Sequence, residues 1–241
     1  MKPSKIKSAA VIANPKKPWA AMLRPSVISY LESRGIAVAS NGAKADMAVM
    51  IGGDGTILYN KLHYGKIIFG IGSQTSFICQ GLRSSWKKPL ARFLSNPRVS
   101  ERFSLCASLD GKKLPVALND VAIKTRDHRI IRIKLRVNGR RFDFLADGII
   151  FSTPTGSGAY AYSAGGREMP YESQDYQIVA IAPYRRAFKP MIVKGTARSS
   201  CAIVSECDVD VIVDGQTVIH AKNGMRLKVA KNSHPVMFAK A

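Results

Sequence analysis

The sequence predicts an α/β protein with two parts, an N-terminal α/β domain built on a parallel sheet and a β-rich C-terminal domain. From residue 8 to about residue 98, short apolar runs alternate with segments of helical period, which is the pattern of a Rossmann-like parallel sheet covered by helices. After residue 98 the hydrophobic period changes to two, which is typical of antiparallel strands. We therefore expect domains over residues 1–98 and 99–241.

Four apolar runs in the first half are predicted to be strands, over residues 8–13, 36–40, 47–51 and 66–72. Helical spacing predicts a first helix over residues 18–35 that Gly35 closes, and Pro25 either kinks this helix or marks its true start. A second helix is expected from residue 57, and a third over residues 87–97, where Asn96-Pro97 is a stop signal.

The second half is predicted to consist of hairpins. Four dipeptides lie between alternating runs, where they favour type I′ turns: Asp110-Gly111, Asn138-Gly139, Asp214-Gly215 and Asn223-Gly224. In the run IRIKLRV, residues 131–137, apolar side chains alternate with Arg132, Lys134 and Arg136. The basic face of this strand is either an ordinary solvated surface or a surface that binds polyanions.

The chain is strongly basic, since 37 Lys and Arg against 16 Asp and Glu give a formal net charge of +21. Such an excess predicts polyanionic ligands, which include nucleic acid, an anionic membrane surface and phosphorylated small molecules. The excess is spread over both halves instead of forming one basic tail, so nucleic acid is not the expected partner.

The cysteines and the apolar runs bear on the compartment. Neither paired spacing nor a zinc-ligand pattern is found at Cys79, Cys106, Cys201 and Cys207, which predicts free thiols and no structural metal. No apolar run approaches the roughly 18 residues that a membrane span needs, and the apolar stretch near the N-terminus is short for a signal peptide. We expect a cytoplasmic protein with no membrane partner.

A lone carboxylate lies among glycines in the stretch GGDGT, residues 52–56, directly after the apolar run MAVMI. Because Asp-Gly is a common turn pair, an ordinary strand-to-helix turn is one explanation. The other explanation is chemical: a glycine-rich turn that opens a helix binds phosphate through backbone N–H groups. In phosphoryl transfer the acceptor hydroxyl must lose its proton to a group in contact with it, and Asp54 fits that role.

A second glycine-rich segment, DGIIFSTPTGSGAYAYSAGG at residues 147–166, also follows an apolar strand. Clusters of Ser, Thr and Gly are usually just loops. This one also carries a flanking carboxylate, Asp147, and the aromatic side chains of Tyr160 and Tyr162, which can stack on a base. In the nearby run LNDVAI, Asn119 and Asp120 lie in an apolar setting where they need partners, and adenine is one candidate.

Taken together, six stretches resemble the NAD kinase family in their order and spacing, from about residue 45 to residue 238: GGDGT, LNDVAI, DGIIFSTPTGSGAY, SAGG, IAPYRRAFKPMIV and VDGQ. GGDGT alone also occurs in lipid kinases, so the block TPTGSGAY decides for this family. The resemblance implies transfer of the γ-phosphoryl group of ATP, or of polyphosphate in some members, to the 2′-hydroxyl of the adenosine ribose of NAD.

The resemblance also implies roles for individual residues. Asp54 corresponds to the catalytic carboxylate that activates the acceptor hydroxyl, and Asn119 and Asp120 correspond to the pair that contacts NAD. Gly52 helps to shape the phosphate turn around Asp54. The substrate-binding set that the resemblance implies is Gly53, Gly55, Thr56, Phe77, Asn119, Asp120, Asp147, Thr155, Gly156, Ser157, Ala159, Tyr160 and Ser163.

Members of the family need a divalent cation, usually Mg²⁺, which donor phosphates largely hold, so no protein metal ligand is assigned. They form dimers or tetramers, which implies a homodimer or homotetramer here. The chain departs from the family pattern at Gly158, where a Thr is usual, and at Tyr184, where a His is usual. In GIGSQTSF, residues 70–77, Gly72 replaces an Asn and one residue fewer precedes Phe77.

Two other functions stay open on the sequence. One is a kinase of the same fold that acts on a lipid or on another hydroxyl, which the shared GGDGT and the altered stretch at 70–77 motivate. The other is a non-catalytic binder of nucleic acid or another polyanion, which the net charge and the run IRIKLRV motivate.

Overall fold

The structure, a computed structural model, describes residues 5–39, 44–64, 66–127, 129–205 and 207–240. The chain divides into two compact units, one formed by Met1–Glu101 together with Val236–Ala241 and the other by Arg102–Pro235. The division expected from the sequence, at residue 98, differs from this one mainly in the C-terminal segment, which groups with the first unit.

The first unit alternates strands with helices. Its elements up to residue 102 are β1 (Ser8–Ala13), α1 (Pro18–Glu32), β2 (Ala37–Val38), β3 (Met47–Ile51), α2 (Asp54–Asn60), β4 (Ile67–Gly72), β5 (Gly81–Leu82), α3 (Lys87–Ser95) and β6 (Val99–Arg102). The first four strands pair in parallel in the order β2-β1-β3-β4. All five residues of β3 are buried, as expected for a parallel strand with both faces covered.

Most of these elements agree with the sequence-based prediction. The predicted strand over 36–40 is shorter, since β2 has two residues and residue 40 lies outside the described part of the chain. Pro25 lies inside α1 and does not mark its start, because Pro18 already occupies the first turn, where a missing N–H costs nothing. The helix ends at Glu32, and Gly35, at φ 72°, lets the N–H of Ile36 reach the carbonyl of Leu31 at 3.1 Å.

The second unit is β-rich. Its elements are β7 (Leu105–Leu109), β8 (Lys112–Lys113), β9 (Asp120–Thr125), β10 (Ile131–Val137), β11 (Arg140–Ala146), β12 (Gly148–Ser152), α4 (Tyr160–Ser163), β13 (Tyr176–Ile181), β14 (Met191–Val193), β15 (Ser199–Val204), β16 (Val209–Val213), β17 (Thr217–Ala221) and β18 (Arg226–Lys231). They form two antiparallel sheets, one in the order β11-β10-β15-β18-β7-β8 and one in the order β14-β13-β12-β9-β16-β17. We call these the second and third sheets.

One hydrophobic core joins the second and third sheets. Ile133 and Leu135 from β10 belong to it, as do Ile123 from β9 and Phe151 from β12. The opposite face of the third sheet carries a smaller apolar cluster in which Ala161 of α4 packs with Ile150. The predicted fold class, a parallel α/β part followed by a β-rich part, is therefore confirmed.

Three of the four predicted turns are hairpins. Asp110-Gly111, Asn138-Gly139 and Asp214-Gly215 each have positive φ at both residues, as type I′ turns require, and join neighbouring strands. The prediction of a hairpin at Asn223-Gly224 is wrong, because this turn joins β17 to β18, which lie in different sheets. Only Gly224 has positive φ there, and the side chain of Asn223 accepts the N–H of Ser205 at 3.2 Å.

The last strand returns to the first unit. β19 (Val236–Ala239) pairs in parallel with β4 through Phe238 and Ile68, and it lies between β4 and β6 in a seven-stranded sheet. The sequence-based domain boundary left this segment in the second domain, because no local pattern indicates pairing with a strand so far back in the chain. Within the described residues, no helix combines the length and the apolar character that crossing a membrane requires.

Candidate active site

The GGDGT turn, residues 52–56, connects β3 to α2, and Asp54 is the first residue of that helix. Gly53 has φ 92° and ψ −171°, a conformation that is essentially restricted to glycine. A side chain at Gly52 would collide with the side chains of Thr56 and Asn14, which are joined by a 3.0 Å hydrogen bond. The two glycines thus allow a sharp turn that places Asp54 at the carboxyl edge of the sheet, with Gly55 exposed beside it.

Both oxygens of the Asp54 carboxylate are engaged by the loop after β4. One accepts the backbone N–H of Phe77 at 2.8 Å, and the other accepts that of Ile78 at 3.2 Å. Hydrogen bonds from fixed backbone donors to a carboxylate are strong, so they set its orientation. Phe77 therefore meets Asp54 through its backbone, while the residue as a whole is 77% exposed.

A thiol completes the surroundings of this carboxylate. The Sγ of Cys79 lies 3.7 Å from Asp54 Oδ1. Burial raises the pKa of Cys79 to about 12, and the charge of Asp54 adds to that shift. The thiol therefore keeps its proton at neutral pH and acts as a weak donor toward Asp54.

Lys17 also reaches the GGDGT turn, although it is not among the site residues predicted from the sequence. Its ammonium group donates to the carbonyl of Gly52 at 2.5 Å. β1 and β3 are neighbouring parallel strands, so the residues that follow them, Asn14–Lys17 and the GGDGT turn, meet at one edge of the sheet. The polar run NPKK directly after the first predicted strand is the signal that could have identified Lys17.

In the second unit, one carboxylate fixes the start of β9. Asp214 accepts the backbone N–H groups of three consecutive residues, Leu118 at 2.9 Å, Asn119 at 2.7 Å and Asp120 at 3.0 Å. From the sequence, Asp214 was expected in a hairpin turn and in the family stretch VDGQ, without a contact to residues 118–120. Its contact with residues 118–120 joins parts of the chain that no local pattern connects.

The 147–166 segment packs directly on this start of β9. The hydroxyl of Thr153 donates to the carbonyl of Leu118, and it accepts the N–H of Gly156 at 3.1 Å. A methyl group at Gly156 would lie 2.6 Å from the Cα of Asn119, so only glycine allows this approach. The structure thus brings the predicted residues Asn119, Thr155 and Gly156 together.

Two buried polar atoms in this region have no hydrogen-bond partner among the described residues, Oδ1 of Asn119 and Oγ1 of Thr155. Most buried polar atoms in proteins are hydrogen-bonded, so such atoms point to a ligand or to water. They lie on two segments that are in direct backbone contact. This pair is the feature of the second unit that most favours a binding site.

Asp120, Asp147 and Tyr160 form a titratable group beside these atoms. Burial raises the pKa of Asp120 to about 7, and the charge of Asp214 adds to the shift. The pKa of Tyr160 is also raised, first by burial and then by the charges of Asp120 and Asp147, which places the phenol near both carboxyl groups. Asp147 occupies the point where the chain passes from β11 to β12, between the second and third sheets.

The remaining predicted residues of this segment differ in their surroundings. Ser157 is buried, and its hydroxyl donates to Pro154 at 2.8 Å and accepts the N–H of Met169 at 2.8 Å. Its side chain therefore stabilises the segment internally. Ala159 and Ser163 are exposed at the two ends of α4. In the part of the chain that the structure describes, no three His, Cys, Asp or Glu side chains form a group that could hold a metal ion.

Comparison with known proteins gives concordant results. The family model for the ATP-NAD kinase C-terminal domain matches residues 118–241. An NAD kinase from Methanoregula boonei is 32% identical to this chain over 222 residues, which cover 90% of this chain and 82% of that relative.

Solved structures share the fold. An NAD kinase from Archaeoglobus fulgidus in complex with ATP superposes with a TM-score of 0.82 at 24% identity, over 98% of this chain and 94% of that one. A yeast NADH kinase complexed with NADH gives a TM-score of 0.84 at 19% identity, over 99% of this chain and 84% of that one. On the family match and the identity to the Methanoregula protein, the chain belongs to the NAD kinase family.

Proposed function

We propose that the protein transfers the γ-phosphoryl group of ATP to the 2′-hydroxyl of the adenosine ribose of NAD and so makes NADP. The observation that carries this proposal is the position of the Asp54 carboxylate. It lies in a turn that glycines keep open, and two backbone N–H groups of the loop after β4 hold it. Related proteins named NAD kinases, one of which was solved with ATP, support the choice of acceptor and donor.

Asp54 is proposed to accept the proton of the ribose hydroxyl as that oxygen attacks phosphorus. Since the N–H groups of Phe77 and Ile78 fix the carboxylate, its remaining lone pairs have a set direction for the hydroxyl. At phosphorus, the bond to the hydroxyl oxygen forms and the bond to the ADP oxygen breaks, while the proton passes from the hydroxyl oxygen to the carboxylate of Asp54.

Lys17 is proposed to contact the donor phosphates. Its ammonium group is held 2.5 Å from the carbonyl of Gly52, next to the turn that carries Asp54. A cation in this place offsets the repulsion between Asp54 and bound phosphate, and it stabilises charge on the transferring group. The first N–H groups of α2, at Asp54 and Gly55, find no acceptor within the helix and are available to the same phosphates.

The second unit is proposed to bind the adenosine part of NAD. The unpartnered atoms of Asn119 and Thr155 supply hydrogen bonds, and the carboxyl groups of Asp120 and Asp147 are suited to hydroxyl groups. Gly156 allows the 147–166 segment to approach Asn119, the exposed Ala159 and Ser163 leave room for the ligand, and Tyr160 offers an aromatic surface to it.

The proposal extends to cofactor, assembly and location. A divalent cation, in our proposal Mg²⁺, is held by donor phosphates and water, which is its usual mode of binding in phosphoryl transfer, and it neutralises charge there. A homodimer or homotetramer is proposed from family membership. A cytoplasmic location is supported by four free thiols. Polyphosphate is proposed as an additional phosphoryl donor.

The test is NADP formation from NAD, ATP and Mg²⁺ by the purified protein and by Asp54→Asn. We expect product from the wild type, and in the variant a loss of turnover of at least about a hundredfold with NAD binding retained. Near-normal turnover in the variant would refute the role of Asp54. A folded wild type that binds no NAD and forms no NADP would favour a kinase that acts on another hydroxyl.

A further inference from the structure

The outer face of the second sheet is strongly basic. Along β10, Ile131, Ile133, Leu135 and Val137 are buried, whereas the alternate side chains Arg132, Lys134 and Arg136 are exposed. This alternation confirms the pattern predicted from the sequence. The alternation alone does not say whether the exposed basic side chains of β10 bind a ligand.

Strand register gathers cations from three strands around one small residue. Ala202 of β15 lies opposite Lys134 of β10 on one side and opposite Arg226 of β18 on the other. Arg136 of β10 lies opposite Arg141 of β11. Because Ala202 has a short side chain between long ones, a hollow of about 320 Å³ opens there. We call it the basic hollow, lined by Lys134, Arg136, Arg141 and Arg226.

One neighbouring carboxylate lines the basic hollow, but it is engaged by another cation. Asp143 lies opposite Lys134 in the strand register, and its Oδ1 lies 2.7 Å from the Nε of Arg132, which it binds. Among the described residues, none of the four cations forms a salt bridge. Like charges placed directly opposite each other, as at Arg136 and Arg141, destabilise a sheet unless something offsets their repulsion. A bound anion would offset it.

The shape of the basic hollow narrows the chemistry of that anion. Leu135 and Phe142 also line it, but they form a cross-strand pair whose side chains pack on the core, where the ring of Phe142 contacts Phe188. The lining therefore presents no aromatic surface, although stacking on aromatic rings is the usual way in which proteins hold single-stranded nucleic acid. Arginine forks match phosphate oxygens in two-point contacts.

We propose that the basic hollow is a binding site for inorganic polyphosphate. A slender chain of phosphates can meet all four cations at once, whereas a single phosphate meets one or two. The backbone of a nucleic-acid duplex follows a wide cylinder, which does not enter a hollow of this size. The residues that form this site are distinct from those assigned to NAD and ATP, so the inference goes beyond the proposed function.

The test is direct binding of fluorescently labelled polyphosphate, measured by anisotropy at several salt concentrations. The variant carries Lys134→Gln together with Arg136→Gln. The matched control carries Lys88→Gln together with Arg92→Gln on α3, where both side chains are exposed and the same two charges are lost. We expect affinity to fall at least about tenfold in the variant and less than about threefold in the control.

The salt dependence separates contact from general attraction. Each lost phosphate contact reduces the slope of log affinity against log salt by about 0.7 to 0.9, so the variant slope is smaller while the control slope is unchanged. Saturating ATP and NAD are present in every titration, so the anisotropy reports polyphosphate that is bound outside the donor and acceptor sites. Both altered proteins keep the ATP-dependent activity of the wild type, and neither has a lower thermal midpoint.

Three results would overturn the proposal. Equal loss of affinity in variant and control would mean that net charge alone attracts polyphosphate. Duplex DNA that binds as tightly as polyphosphate, and with the same sensitivity to Lys134 and Arg136, would assign the surface to nucleic acid. Loss of all polyphosphate binding in the presence of saturating ATP would assign polyphosphate to the donor site alone. Because the readout is binding, failure of NADP formation would leave these outcomes interpretable.

Discussion

The carboxylate of Asp54 accepts a 2.8 Å hydrogen bond from the backbone N–H of Phe77, which ties the start of α2 to the loop that follows β4. The N–H of Ile78 occupies the other carboxylate oxygen at 3.2 Å. Asp54 thus has a structural role in addition to the chemical role that we propose for it. Experiments on this residue must separate the two.

Asp54→Asn is expected to lower stability as well as turnover. One of its two polar atoms becomes an NH₂ group that faces a backbone N–H, so a hydrogen bond is lost at a cost of about 1–3 kcal/mol. Denaturant unfolding measures this loss. Asp46→Asn is the control, since Asp46 also accepts two backbone N–H groups, from Lys7 and Ser8. Its turnover per folded molecule should stay normal, and an equal loss of turnover in both variants would contradict a chemical role for Asp54.

Lys17→Met is expected to lower kcat/KM for ATP at least about tenfold, because it removes a cation held beside the GGDGT turn. Lys16→Met is the matched control, with the same change of charge on the neighbouring exposed residue. Steady-state rates at varied ATP measure both. If the two variants lose activity equally, the effect is general electrostatic attraction of ATP and Lys17 has no specific contact.

The pH dependence of stability is expected to reveal Asp120. Burial, followed by the charge of Asp214, raises its pKa from 3.8 to about 7. Between these values the folded protein keeps a proton that the unfolded chain has released. Its contribution to the unfolding free energy therefore falls as pH rises from about 4 to about 7, by up to about 1.4 kcal/mol per pH unit, and is constant above that.

Denaturant unfolding of the wild type and of Asp120→Asn over this range measures the effect. Because Asn does not titrate, the stability of the variant relative to the wild type should rise from pH 4 to pH 7. Parallel curves for Asp120→Asn and the wild type would mean that Asp120 has no raised pKa.

Gly156→Ala is expected to weaken NAD binding strongly, because the added methyl would displace the backbone of Asn119, only 2.6 Å away at its Cα. Gly158→Ala is the control in the same segment. There the methyl meets the end of the flexible Glu168 side chain, at 2.9 Å, which can move. Calorimetric titration with NAD compares them, and similar affinities for the two variants would show that residues 119 and 156 need not touch.

Local periodicity accounts for the parts of the fold that were predicted correctly. β3 is apolar throughout because both of its faces are buried, and β10 alternates because only one of its faces is buried. Short stretches of sequence therefore suffice to identify them. The position of β19 and the turn at Asn223-Gly224 depend on which distant strand lies alongside. No nearby residue carries that information.

The candidate site shows the same limit. Motifs identified Asp54, Asn119 and Asp120, but they did not indicate that Asp214 would hold residues 118–120. Motifs also treat Ser157 and Thr155 alike. Only the structure distinguishes the hydroxyl of Ser157, which is used in internal hydrogen bonds, from that of Thr155, which has no partner among the described residues.

The placement of β19 between β4 and β6 has a consequence for synthesis on the ribosome. The first unit begins with β1, yet its sheet lacks an interior strand until Val236–Ala239 has been made. Since domains usually fold as they emerge, the second unit can finish while the first still exposes an open strand edge at β4. A nascent chain halted before residue 236 therefore carries an incompletely folded first unit with an unpaired strand edge. Chaperones would be expected to bind at this edge.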